Sequence, residues 1–153
     1  MSRSLSRGYS LVELVVVVTL ILVLTAMIVP VARFNWTRMK EMELKEALRN
    51  MRTAIDDYKR LSDQGLIPVE LGTEGYPKEL DDLVKGVELV GQVKKVRKFL
   101  RKIPIDPMTG EAEWGLRSLQ DEPDSTSWGR QNVYDVYSLS EKKGLDGTKY
   151  KDW

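Results

Sequence analysis

Glu13 is the residue whose setting most constrains the chemistry open to this chain. It is the single acid in the first forty residues. It stands inside the apolar run Leu11-Val12-Glu13-Leu14-Val15-Val16-Val17-Val18-Thr19-Leu20-Ile21-Leu22-Val23-Leu24-Thr25-Ala26-Met27-Ile28-Val29. A carboxylate near a bilayer interior costs about 2.5–3.5 kcal/mol, which marks it as functional unless it can snorkel into the headgroups from a helix end. Taken alone, the position allows either. A second set of carboxylates, Asp81, Asp82, Asp121 and Asp124, has the right chemistry for general acid–base work. They lie in helix and loop sequence that reads as exposed, with no nucleophile motif beside them. The 153 residues include no cysteine and no histidine. Disulfides, thiolate metal sites, thiol nucleophiles and a Ser-His-Asp triad are therefore all removed, and no enzymatic activity is expected.

The element that must position Glu13 is a helix long enough to span a bilayer core of roughly 30 Å. Ahead of it stands a short polar leader, Met1 to Gly8, carrying Arg3 and Arg7. The leader is placed in the cytoplasm, since it is the shorter flank and is made first. An ordinary cleaved signal peptide wants a shorter apolar core and a small-x-small site; here Ala26 and Ala32 are the best small residues, and Pro30 sits upstream of the second. Pro30 lacks an N–H, so a kink or local melting is expected there. Helical periodicity then resumes: Leu44, Leu48, Met51, Ile55, Tyr58 and Leu61 recur three and four residues apart, with Ala47 and Ala54 beside them. Glu41 and Lys45 stand in the favourable i,i+4 order, and Gly65 is a plausible C-cap. One helix from Leu11 to Asp63 is expected, on the order of 80 Å long; its amphipathic half could pack on a partner helix or on the chain's own C-terminal domain, and the latter is the favoured reading.

The segment Gly8-Tyr9-Ser10-Leu11-Val12-Glu13 resembles the processing site of class III signal peptides, as found in type IV pilins and type II secretion pseudopilins. The resemblance implies that a prepilin peptidase cuts between Gly8 and Tyr9 and that the new terminus at Tyr9 is methylated. Glu13 then becomes the family's intramembrane glutamate, and Pro30 its helix-weakening proline. Tyr9 departs from the phenylalanine that is usual at the first mature position. Cleavage would create an ammonium at Tyr9, about one helical turn from Glu13. In a polymer, one subunit's carboxylate can pair with its neighbour's ammonium, so that neither charge is stranded in an apolar setting.

Beyond Gly65 the pattern breaks into short pieces. Tyr76 to Val84 reads as a short helix with Pro77 in its first turn. Val93 to Lys102 reads as another, with Lys94, Lys95, Arg97, Lys98, Arg101 and Lys102 forming either its solvated face or a surface for lipid headgroups, an acidic partner or DNA. Ile103 to Gly110 carries Asp-Pro turn chemistry and resembles the stretch that opens the β-region of major pseudopilins. Glu113–Leu119 and Val133–Leu139 alternate enough to be strands. Trp114 and Trp128 read as packing residues. Major pseudopilins hold calcium in a loop after a similar Tyr-Ser-Leu strand end. The resemblance puts Asp146, Asp152, the Leu139 carbonyl and Ser140 in that role, and calcium would need six to eight oxygens. A plain Asp146-Gly147 turn is the other reading.

The fold class expected is α+β and pilin-like: a long N-terminal helix on a small antiparallel β-sheet domain. The divisions are a removed leader over 1–8, a transmembrane and polymerisation helix over 9–30, an amphipathic helix over 31–65, and a periplasmic domain over 66–153. The expected role is a structural subunit of a type II secretion pseudopilus. Its partners would be further copies of itself, minor pseudopilins, the prepilin peptidase, the inner-membrane assembly platform and the lipid bilayer; nucleic acid is not expected. A type IV pilus subunit for adhesion, motility or DNA uptake is the alternative. An anchored binding or catalytic domain would leave Gly8 and Glu13 unexplained. Replacing Glu13 by alanine is predicted to leave cleavage at Gly8 intact and to block assembly. Immunoblots for the processed chain and electron microscopy of sheared filaments check both halves, and normal filaments from Glu13→Ala would refute the charge pairing.

Overall fold

The computed structural model describes residues 10–91 and 96–153, with the side chains at 27 and 29–31 outside that description. Helix α1 runs over Leu11–Asp63, as its periodicity predicts. Contacts divide the chain into two units, Met1–Arg38 and Met39–Trp153.

In the first unit α1 is helical through position 30, so the local melting expected at Pro30 does not occur. A proline costs the helix one N–H and crowds one turn, and the backbone bonds on either side keep this one intact. The valines at 15, 16, 17 and 18 together face all round the helix, and each keeps 47–54% of its surface exposed. Among the described residues no helix is long and apolar enough to cross a membrane; the undescribed side chains fall at the end of the apolar run and just past it.

In the second unit the expected stripe is buried. Leu44, Met51 and Ile55 are fully enclosed, and Ala47, Leu48, Ala54 and Tyr58 nearly so. They pack with Ile67, Leu80, Leu83, Trp114, Val133, Val136 and Tyr150. The helix stops in a Schellman motif: Leu66 N–H donates to the Leu61 carbonyl and Gly65 N–H to that of Ser62. Gly65 takes φ +71°, which suits a residue without a Cβ.

The rest of the unit has little regular structure. Helix α2 covers only Asp82–Lys85. The longer helix expected from Tyr76 does not form, because the Pro77 carbonyl accepts from Val133 N–H (2.7 Å) and ties that stretch to the β-region. The helix expected over Val93–Lys102 is also absent from its described part. Instead β1 (Val87–Glu88) and β2 (Val96–Arg97) pair antiparallel. Gly86 allows the close approach: a Cβ there would lie 2.6 Å from the Arg97 carbonyl. Lys94 and Lys95 lie outside the described residues, whereas Arg97, Lys98, Arg101 and Lys102 are exposed. Strands β3 (Gly115–Arg117) and β4 (Asp135–Tyr137) pair antiparallel, with Leu116 opposite Val136. Both are shorter than the sequence alternation suggests. Val136, Tyr137 and Ser138 are all buried, since the loops cover the face that a lone hairpin would leave wet. A 3-10 turn, Tyr150–Asp152, follows. The α+β pilin-like architecture holds.

Met51 sits at the centre of this packing, with none of its surface exposed. Met51→Ala is predicted to destabilise the domain by about 2–5 kcal/mol, read as a lower denaturation midpoint in urea for the full chain in detergent.

Candidate functional site: the N-terminal helix and the C-terminal loop

The N-terminal candidate centres on Glu13, exposed in the first turn of α1. The helix opens with Leu14 N–H donating to the Ser10 carbonyl at 3.1 Å. A carboxylate there meets the positive end of the helix dipole. Gly8 and Tyr9, the residues of the expected cut and methylation, lie outside the described residues. The two hydroxyls in the run are turned inward: Thr19 Oγ1 donates to the Val15 carbonyl (2.8 Å) and Thr25 Oγ1 to that of Ile21 (2.7 Å). This back-bonding hides both donors from the surroundings. Among the described side chains from Leu11 to Ile28, Glu13 is then the only ionisable group on an otherwise apolar surface, an arrangement that calls for cover by lipid or by other chains.

The second candidate is the loop from Leu139 to Trp153. The α1 residue that holds it is Glu41, which sequence reasoning placed opposite Lys45. The structure does not pair them. Glu41 is almost buried, and its Oε1 accepts from Leu145 N–H (2.7 Å) and from the Tyr150 hydroxyl (3.0 Å). Lys45 turns instead to the Trp153 ring, 4.4 Å from its centroid. Burial, followed by the Glu41 carboxylate that accepts its proton, pushes the Tyr150 phenol up to about 12. About three turns beyond Glu41, Arg52 donates to Asp135 (2.7 Å), to the Val136 carbonyl (3.1 Å) and to the Trp153 carbonyl (2.8 Å), tying β4 and the loop to the helix. Both Glu41 and Arg52 read in sequence as ordinary polar-face residues. The long-range donors and acceptors that claim them carry no local mark.

Asp106 does more than form a turn. It is fully enclosed, and its carboxylate accepts from Met108 N–H (2.7 Å) and from the Ser138 hydroxyl (2.6 Å). Trp114 and Trp128 pack as expected, and each indole finds a carbonyl, on Pro104 and Asn132 respectively.

The residues expected to hold calcium do not make a fitting set. The Asp146 Oδ1 accepts from both the N–H (2.9 Å) and the hydroxyl (2.7 Å) of Thr148. These bonds, the hydroxyl's first, hold the Asp146 carboxyl below its usual range. Ser140 Oγ faces the Lys142 N–H at 3.4 Å. Asp152 shares a cleft with Asp146, but Lys143, Lys149 and Lys151 line it too. Among the described residues no group of three or more acidic, histidine or cysteine side chains could hold a metal ion. Calcium takes six to eight oxygens, so these two carboxylates would need carbonyls such as that of Leu139 and waters beside them, in a cleft where these three lysines compete for the same acids. The melting temperature of the full chain in detergent is predicted to be the same in millimolar calcium and in chelator. A rise with calcium would restore the metal reading.

Residues 3–29 match the model of the prokaryotic N-terminal methylation motif. The match takes in Gly8, Tyr9 and Glu13 and stops before Pro30. No curated protein and no solved structure gives a significant match. The chain therefore carries, at its N-terminus, the class III signal-peptide motif of type IV pilin-like proteins.

Proposed function

We propose that this chain is a pilin-like structural subunit of a type II secretion pseudopilus. In this reading a prepilin peptidase removes residues 1–8 and the new amine of Tyr9 is methylated. Residues 9–30 anchor the subunit in the inner membrane, with the C-terminal domain in the periplasm. The assembly platform then draws subunits into a filament in which Glu13 of each pairs with the Tyr9 amine of a neighbour. Growth of such a filament would push folded cargo toward the outer membrane. Minor pseudopilins would join the same polymer.

The observation that carries the reading is the methylation motif over residues 3–29, set on a helix whose apolar side chains are exposed on all sides around one carboxylate. Burying that acid without a partner is costly, and an amine made only by proteolysis is a partner that appears on demand. Two features favour a secretion subunit over an adhesive pilus. The chain has no cysteine to close the C-terminal region, and that region is closed instead by Glu41, Arg52 and Lys45 reaching from α1.

Mass spectrometry of the native protein tests this. The expected N-terminus is N-methylated Tyr9. A polymer whose subunits still carry Met1 to Gly8 would overturn both the processing and the charge pairing, while a chain beginning near Arg33 would mean a freely secreted protein.

A further inference from the structure

The cleft between α1 and the C-terminal loop has a volume of about 900 Å³ and a strong excess of cations. Lys45, Arg49 and Arg52 line it from the helix, and Lys143, Lys149 and Lys151 from the loop. Its acids are Asp56, Asp146 and Asp152. Arg52 is spent on Asp135, and Lys45 on the Trp153 ring. Among the described residues Arg49, Lys143, Lys149 and Lys151 make no ion pair.

The backbone sharpens this excess. Lys143 and Lys149 are direct partners in an isolated antiparallel bridge, and Gly144 N–H donates to the Thr148 carbonyl inside it at 2.8 Å. Residues opposed in this way present their side chains on one face about 5 Å apart, and like charges so placed repel. The loop thus brings the stems of two lysines side by side at the cleft, and an incoming anion would relieve the repulsion between them.

The opposite charge collects around the C-terminal end of α1. From Asp57 to Asp82 there are seven carboxylates and three cations. Asp57, Asp63, Glu70 and Asp81 have cationic partners; Glu74, Glu79 and Asp82 have none among the described residues. Burial, then the charges of Asp82 and Glu70, push the Tyr58 phenol up, as a locally negative field should. The exposed acids Glu122 and Asp124 are the other source. They belong to the segment that Arg117 ties to the cleft wall, donating to the Ser125 carbonyl (3.0 Å) and to that of Lys151 (3.5 Å).

We infer that the cationic cleft over Arg49, Lys143 and Lys149 receives the acidic surface of Glu74, Glu79 and Asp82 from a second copy of this chain. The two surfaces belong to different parts of the domain, so the contact is heterologous. Heterologous contacts that do not close on themselves build helical filaments. Complementary charge selects the register of the incoming subunit and quickens its arrival, while the apolar helices hold what has docked. The inference rests on the polymer reading above and names a second contact within it.

The absence of native cysteine makes the test clean. One copy carries Lys149→Cys, the other Glu79→Cys, each with its own tag, in cells that assemble the filament. Mild oxidation is expected to yield the mixed disulfide at roughly tenfold the level of a control pair of Lys149→Cys with Glu122→Cys, because a disulfide needs Cα atoms within about 7 Å. The double variant Lys143→Glu with Lys149→Glu should lower the assembled fraction about tenfold, and adding Glu79→Lys with Asp82→Lys should bring it back to within about threefold of the parent. Unchanged thermal melting shows that the variants fold. No mixed disulfide in normal filaments would overturn this contact and leave the proposed function standing. Preferential coupling to position 122 would overturn it equally. Absence of any polymer from the parent chain would overturn both readings.

Discussion

Burial of the stripe Leu44, Leu48, Met51 and Ile55 is the interaction on which the domain depends. Among the described residues, the segments that cover it contain one turn of α-helix, two two-stranded ladders and a 3-10 turn. None of these is stable alone: a lone two-stranded ladder is marginal in water, and a four-residue helix is below the length that sustains itself. They hold their shape because α1 offers a rigid apolar rail against which Leu83, Val133, Val136 and Tyr150 can be buried together. At about 25 cal/mol per Å² of apolar surface, a few such side chains outweigh what their weak local hydrogen bonding supplies.

Polar groups on the flanks of that stripe then set where each covering segment lands. Glu41 takes the loop at Leu145 and Tyr150, and Arg52 takes β4 and Trp153. Both are partly or wholly shielded, which strengthens each bond and makes a missing partner costly. The same loop that Glu41 and Arg52 pull down ends up presenting Lys143 and Lys149 side by side. Tight local docking and an uncompensated surface charge thus come from one arrangement. The first serves the monomer; the second has value only when another molecule approaches.

The N-terminal stretch follows the same logic with a different solvent. Its side chains are apolar on every face, its threonine hydroxyls are satisfied by its own carbonyls, and its one carboxylate waits at the first turn. Among the described residues its large apolar side chains keep about half or more of their surface exposed. A helix of that kind reaches a low free energy only among lipids or other helices, which is why a processing motif next to it has functional weight.

By itself the sequence determined the helix from Leu11 to Asp63, its buried stripe, its glycine stop, and the motif around Gly8 and Glu13. These are written in local periodicity and in residue types whose meaning does not depend on distant partners. Only the tertiary structure decided that Glu41 leaves Lys45 for Tyr150, that Pro77 pairs with Val133 instead of opening a helix, and that Arg52 reaches Asp135 and the Trp153 carbonyl. It also decided that two lysines six positions apart stand face to face. Each of these depends on which donor or acceptor a fold brings within 3 Å from far along the chain or across a turn. A hydrogen bond's net gain of about 1 kcal/mol is too small, and its geometry too exacting, to be legible before the backbone has closed.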